Sequence, residues 1–276
     1  MKSKKTLIFA VGLCGLFLGL TCFSQGVLTP PGAPAPTMKS LDQVEARTAI
    51  TNTASLVTIS QPGSYYLTHN IAVTAGDAID INANGVTLDL NGFTISSTAA
   101  GGTTSGISLN DGLSDITILN GHIRGGVTNN GSGVYSGSGF HYGIRASLKS
   151  GAVNVLVSRV SVSGCLNNGI LLGMGDSTVV ESCTVRTVGV GGINAATIID
   201  CSATDCGGNA IYGDQVSDCR GESSGTGFGL SASFTATGCY GYSASGTGLS
   251  ALIANGCHGA TSTGTALSAT HNVNSF

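Results

Sequence analysis

Seven basic and aromatic side chains gather in one stretch of a sparsely charged chain: His122, Arg124, Tyr135, His141, Tyr142, Arg145 and Lys149. Arginine offers a planar, permanently charged fork of donors, and tyrosine a flat apolar face with a polar tip. Together they suit a sugar ring carrying acidic or neutral substituents. A second set, Tyr240, Tyr242 and His258, is spaced to fall on one exposed face, where a ladder of rings can hold a glycan or simply decorate the surface. Asp200 and Asp218 each stand immediately before a cysteine, Cys201 and Cys219. If one repeat separates them, they stack about 4.8 Å apart, close enough to share a cation such as calcium or to shift each other's ionisation. The same placement also suits Asx caps at a corner of the chain.

The elements that must position these groups are repeats. A glycine or alanine followed by an aliphatic returns at Ile144, Ile170, Ile193, Ile211, Leu230, Leu249 and Leu267. A second column, Val160, Cys183, Cys201, Cys219, Cys239 and Cys257, precedes the aliphatic of its own repeat at a constant offset, lengthened by a single position between Cys219 and Leu230. Such recurrence implies a solenoid whose repeats stack. Cys165 falls out of that column despite its even spacing from Cys183, because alignment on the aliphatic step sets it beside Val188 and Cys206. Cysteine replacing valine in both columns is expected where small hydrophobes pack inside.

The intervals between aliphatic steps shorten along the chain. The longest runs from Ile107 to Ile144, the step from Ile79 to Ile107 is intermediate, and Ile193 to Ile211 and Leu249 to Leu267 are the shortest. Early turns must therefore carry loops, chiefly residues 97–105 and 125–139, and the basic and aromatic cluster surrounds the longer one. Asn91 and Asn120 each close an alternating run and are expected to share one corner. Repeats as short as Leu249 to Leu267 leave no room for helices, and unequal inward intervals argue against regular hexapeptides. The expected fold is all-β: a single-stranded right-handed parallel β-helix, with a short N-terminal capping helix over residues 39–47.

The remaining organisation follows from composition. Lys2, Lys4 and Lys5, then an apolar run, then Ser24 and Gly26, have the parts of a signal peptide over residues 1–26. Residues 27–38 form a proline-rich linker, 39–55 the N-terminal cap and 56–276 the β-helix domain. Cleavage after Gly26 would remove three lysines and no acid from 11 basic and 14 acidic residues, leaving a formal charge of −6 and seven cysteines. Few charges and no tryptophan argue against a nucleic-acid groove, and no membrane span is expected after cleavage. The expected location is secreted, periplasmic or cell surface. The open C-terminal end is a place for homo-oligomer contacts.

Residues 58–67, 86–95 and the later cysteine-rich Gly-Ile turns resemble bacterial secreted right-handed parallel β-helix repeat proteins of the pectate-lyase-like superfamily. The resemblance covers about residue 41 onward. It implies the fold, and it leaves function open, since that superfamily holds lyases, hydrolases, epimerases, adhesins and tailspikes. The expected function is an exported, non-catalytic structural or glycan-recognition protein that needs no cofactor. The alternative is a calcium-dependent polysaccharide lyase or related enzyme acting on acidic glycans. By analogy Arg124 or Arg145 would then serve as the catalytic base, with Asp200 and Asp218 on the metal.

Overall fold

In the computed structural model, residues 46–276 are described, apart from 53, 102, 148–151 and 175–176. The helix expected over residues 39–47 lies outside them except for Ala46 and Arg47. Parallel pairing already begins at Thr48–Ile50, within the segment expected to be the cap.

The chain winds into a parallel β-solenoid of about ten turns. Each turn contributes strands to three faces, and each strand pairs in parallel with its counterpart in the turns before and after. Face A begins with Val57–Ile59 and Ile79–Ile81. Its inward column runs Ile107, Ile144, Ile170, Ile193, Ile211, Leu230, Leu249, Leu267, so the repeating aliphatic step of the sequence is one vertical line of side chains. Face B stacks Leu88, Ile118, Val157, Val180, Ile198, Val216, Ala236 and Ala254. Face C stacks Ile95, Ile123, Val162, Val185, Ala203, Gly221, Gly241 and Gly259.

Strand alternation puts these residues inside and their neighbours outside. The core they form is continuous and almost wholly apolar. It also narrows. Face A keeps branched side chains throughout, whereas face C shrinks from isoleucine to glycine along the axis. At the narrow end a side chain no longer fits: a Cβ on Gly241 would overlap the Gly248 carbonyl oxygen. The core thins toward the later turns, whereas the shortening of the repeats reflects the loops carried by the early ones.

The corner between faces B and C is set by residues in the left-handed region. Asn120, Arg159, Ser182, Asp200 and Asp218 have φ of 56°, 53°, 50°, 50° and 52°, and Gly238 and Gly256 follow at 62° and 60°. Asparagine, aspartate and glycine tolerate this conformation best, so their recurrence at one offset is what turns the chain.

Candidate functional site

The residue after each corner from Arg159 onward points inward: Val160, Cys183, Cys201, Cys219, Cys239 and Cys257, all buried. Their sulfurs act as hydrogen-bonding groups as well as packing groups. Backbone N–H groups of Val160, Cys183 and Cys201 each donate to the thiol of the next turn at 3.4 Å. The thiols in turn face carbonyls two residues back, at 3.2 Å for Cys183 and 3.0 Å for Cys219. In the last turn Ser275 takes the same place, its hydroxyl accepting from Cys257 N–H at 2.9 Å. The seven cysteines of the described residues are free thiols. In the second column, burial pushes the Cys165 thiol up to about 12.

One residue further on, side chains point out from face C. Register places His122, Ser161, Thr184, Ser202, Arg220, Tyr240 and His258 in a single outward column. Phe276 extends it by one turn, since its N–H donates to the Cys257 carbonyl and its own carbonyl accepts from Gly259. The end of this column is a chain of ring contacts. The Arg220 guanidinium lies 5.3 Å from the Tyr240 ring centre, Tyr240 and His258 are 5.5 Å apart, and His258 and Phe276 are 4.7 Å apart. A groove of about 560 Å³ runs along the corner beside these residues, with Asp200 and Asp218 on its rim. The Asp200 carboxylate accepts a hydrogen bond from Ser182 at 3.1 Å.

A second outward column of face C carries Arg124, Ser163, Arg186 and Thr204, and beyond a register shift Glu222 and Tyr242. Arg220 Nε donates to Glu222 at 2.9 Å, and Tyr242 shares a hydrogen bond with Ser262 at 2.8 Å. His122 and Arg124, which the sequence grouped with Tyr142 and Arg145, therefore share a face with Tyr240, Tyr242 and His258.

Tyr135 has a different task. It sits on a small antiparallel hairpin, Thr128–Asn129 with Tyr135–Ser136, that lies over the later turns. Its hydroxyl donates to Asp205 at 2.8 Å. Asn129, Thr187 and Ser224 donate to the same carboxylate at 2.6, 2.8 and 3.2 Å. Partial burial alone would raise the Asp205 carboxyl, but these four donors outweigh it and hold it below the usual range. The Tyr135 ring can lie this close because Gly207 lacks a side chain, where a Cβ would stand 3.0 Å from Cε2. Burial raises the Tyr135 phenol further. Its ring and hydroxyl fasten the loop to the solenoid, and the glycan platform expected of it is not what these contacts describe.

The two arginines weighed as a base are separated. Arg124 is exposed on face C, and Arg145 is on face A, in register with Ser108 and 5.0 Å from the Tyr142 ring. Tyr142 accepts a hydrogen bond from Asn167 at 2.9 Å. His141 joins this side of the molecule, its N–H bonded to the Thr104 carbonyl. Loop proximity in the sequence grouped residues that the turns distribute over two faces. Lys149 lies outside the described residues. Among the described residues, no group of three or more His, Cys, Asp or Glu could hold a metal ion. Calcium takes six to eight oxygens, so Asp200 and Asp218 would supply a minority of its shell.

Sequence reasoning missed the Asp205 network and the hydrogen-bonding role of the thiols. A signal for the first was present: Gly164, Thr187 and Asp205 stand at one offset, each before a buried residue of the second column, and all three have positive φ. Among the described residues, no helix is long and apolar enough to cross a membrane. No protein-family model, curated protein or solved structure matches the chain.

Proposed function

We propose that this chain is an exported, non-catalytic glycan-recognition scaffold, a right-handed coil related to the pectate-lyase-like superfamily, that binds saccharide along the face C groove. The observation that carries this reading is the unbroken run Arg220, Tyr240, His258, Phe276 beside a groove of about 560 Å³. Rings with polar edges supply apolar contact for sugar faces, and charged groups beside them pair with hydroxyl or acidic substituents. A flat strand surface repeating at every turn suits an extended polymer better than a compact ligand.

Glycan-array screening followed by calorimetry on the best binder tests it. Tyr240→Ala and His258→Ala are each expected to weaken binding tenfold or more, while Arg145→Ala on face A leaves it unchanged. Equal affinity in all three variants would remove face C from the reading.

A further inference from the structure

The cysteine column has a geometry that packing does not require. Cys183, Cys201 and Cys219 fall on successive turns and repeat the same contacts: an N–H from the preceding turn at 3.4 Å in each case, and a carbonyl two residues back at 3.2, 3.1 and 3.0 Å. Cys239 and Cys257 keep the carbonyl contact at 3.2 and 3.4 Å. Side chains that make identical contacts on successive turns are related by the translation between turns. The sulfurs of Cys183, Cys201 and Cys219 are therefore about 4.8 Å apart and lie in one line.

Two collinear metal–thiolate bonds, each about the 2.3 Å that zinc makes to thiolate, span ~4.6 Å. The spacing between turns thus matches the sulfur–sulfur distance of a linear, two-coordinate thiolate complex. Soft thiolates select soft ions such as copper(I), and a straight column offers each ion two sulfurs rather than the three or four of a tetrahedral site. The column also lines the groove beside face C.

We propose that this column binds soft monovalent ions of the copper(I) and silver(I) class, each held between the sulfurs of two adjacent turns. Binding one ion converts two thiols to a bis-thiolate complex of net charge minus one and releases two protons, with no change of oxidation state. The N–H groups already aimed at the sulfurs stabilise the thiolates that form. Cys165 and Cys206 provide an internal contrast. Val188 lies between them in register, so they are two turns apart and cannot share an ion.

The test is titration of the folded, reduced full chain with silver(I) in chloride-free buffer. Readouts are thiolate-to-silver absorbance, proton release and melting temperature. Cys201→Ser/Cys239→Ser and Cys183→Ser/Cys257→Ser both keep three column thiols, but only the second keeps adjacent ones. Loss of at least tenfold in affinity is expected for the first pair alone. The second pair and Cys165→Ser/Cys206→Ser should retain two protons released per ion and a raised melting temperature. Ser275 shows that serine fits this corner. If the serine variants do not fold, the parent chain carries the test: pairwise binding by five column thiols saturates at two ions with two protons released for each, and one ion per thiol overturns the proposal. Equal binding by the adjacent and alternate variants overturns the proposal, as does silver that binds only while lowering the melting temperature.

Discussion

Removing the Asp205 carboxylate should release the hairpin of residues 128–136 from the solenoid. Four donors converge on it, three at 2.6 to 2.8 Å and one at 3.2 Å. Hydrogen bonds to a charged group contribute about 1.5–3 kcal/mol each when isolated, but simple addition would overstate the effect. The donors are half-buried and reach water once freed, and bonds sharing one acceptor are not independent. A total of about 2–4 kcal/mol is the expected loss for Asp205→Gly. Asp205→Ala should lose about 1 kcal/mol more, because φ at this position is 55°. Asp205→Asn keeps an acceptor and the backbone preference, and should lose only about 1–2 kcal/mol.

The order Asn, Gly, Ala is therefore the signature, read by urea denaturation. Amide exchange at Gly126 and Asn130, which bond to Ser138 and Val134 carbonyls within this loop, should accelerate in the Gly and Ala variants. Acid sharpens the test. The folded carboxyl is depressed below its unfolded value of about 3.9, so its contribution is complete above that pH and disappears as pH falls through the folded value. Asp205→Asn should flatten this part of the acid profile. If all three variants stay within about 0.5 kcal/mol of the parent, the range of an ordinary surface substitution, and loop exchange is unchanged, the hairpin is not held by Asp205.

Two further outcomes concern the core. Gly241→Ala puts a Cβ against the Gly248 carbonyl oxygen and should cost about 2–3 kcal/mol by overpacking, measured as a fall in the denaturation midpoint; a neutral result would mean the narrow end yields. Cys201→Val leaves the Cys183 N–H without its 3.4 Å acceptor and should cost about 1–3 kcal/mol. Cys201→Ser restores an acceptor and should cost measurably less, so equal losses would reduce the thiols to packing alone.

The architecture was legible because the pattern that specifies it is carried by single positions. Ile144, Ile170 and Ile193 mark face A directly, and aligning on them separates Cys165 from the main column as the register does. Assigning outward residues was harder. His122 precedes Ile123 as Thr184 precedes Val185, which puts His122 in the column of Tyr240, yet loop proximity drew attention to Tyr142 and Arg145 instead. The corner at Asp205 carried a signal, but the loop that docks on it did not. Nothing local to Tyr135 indicates a partner as distant in sequence as Asp205, because which turn a loop folds back upon depends on loop geometry rather than on the repeat.

The taper gives the molecule a direction. In a stack where each turn touches only its neighbours, resistance to unravelling is set turn by turn, and turns lined by Ala236, Ala254 and Gly259 offer far less apolar contact than those lined by Leu88, Ile118 and Ile123. The coil should come apart like a rope whipped firmly at one end, losing its thin turns first while the thick ones hold. The run from Arg220 to Phe276 spans those thin turns. A ligand laid across it would tie together the strands that are first to part, so occupancy would register most strongly as slower opening of those thin turns.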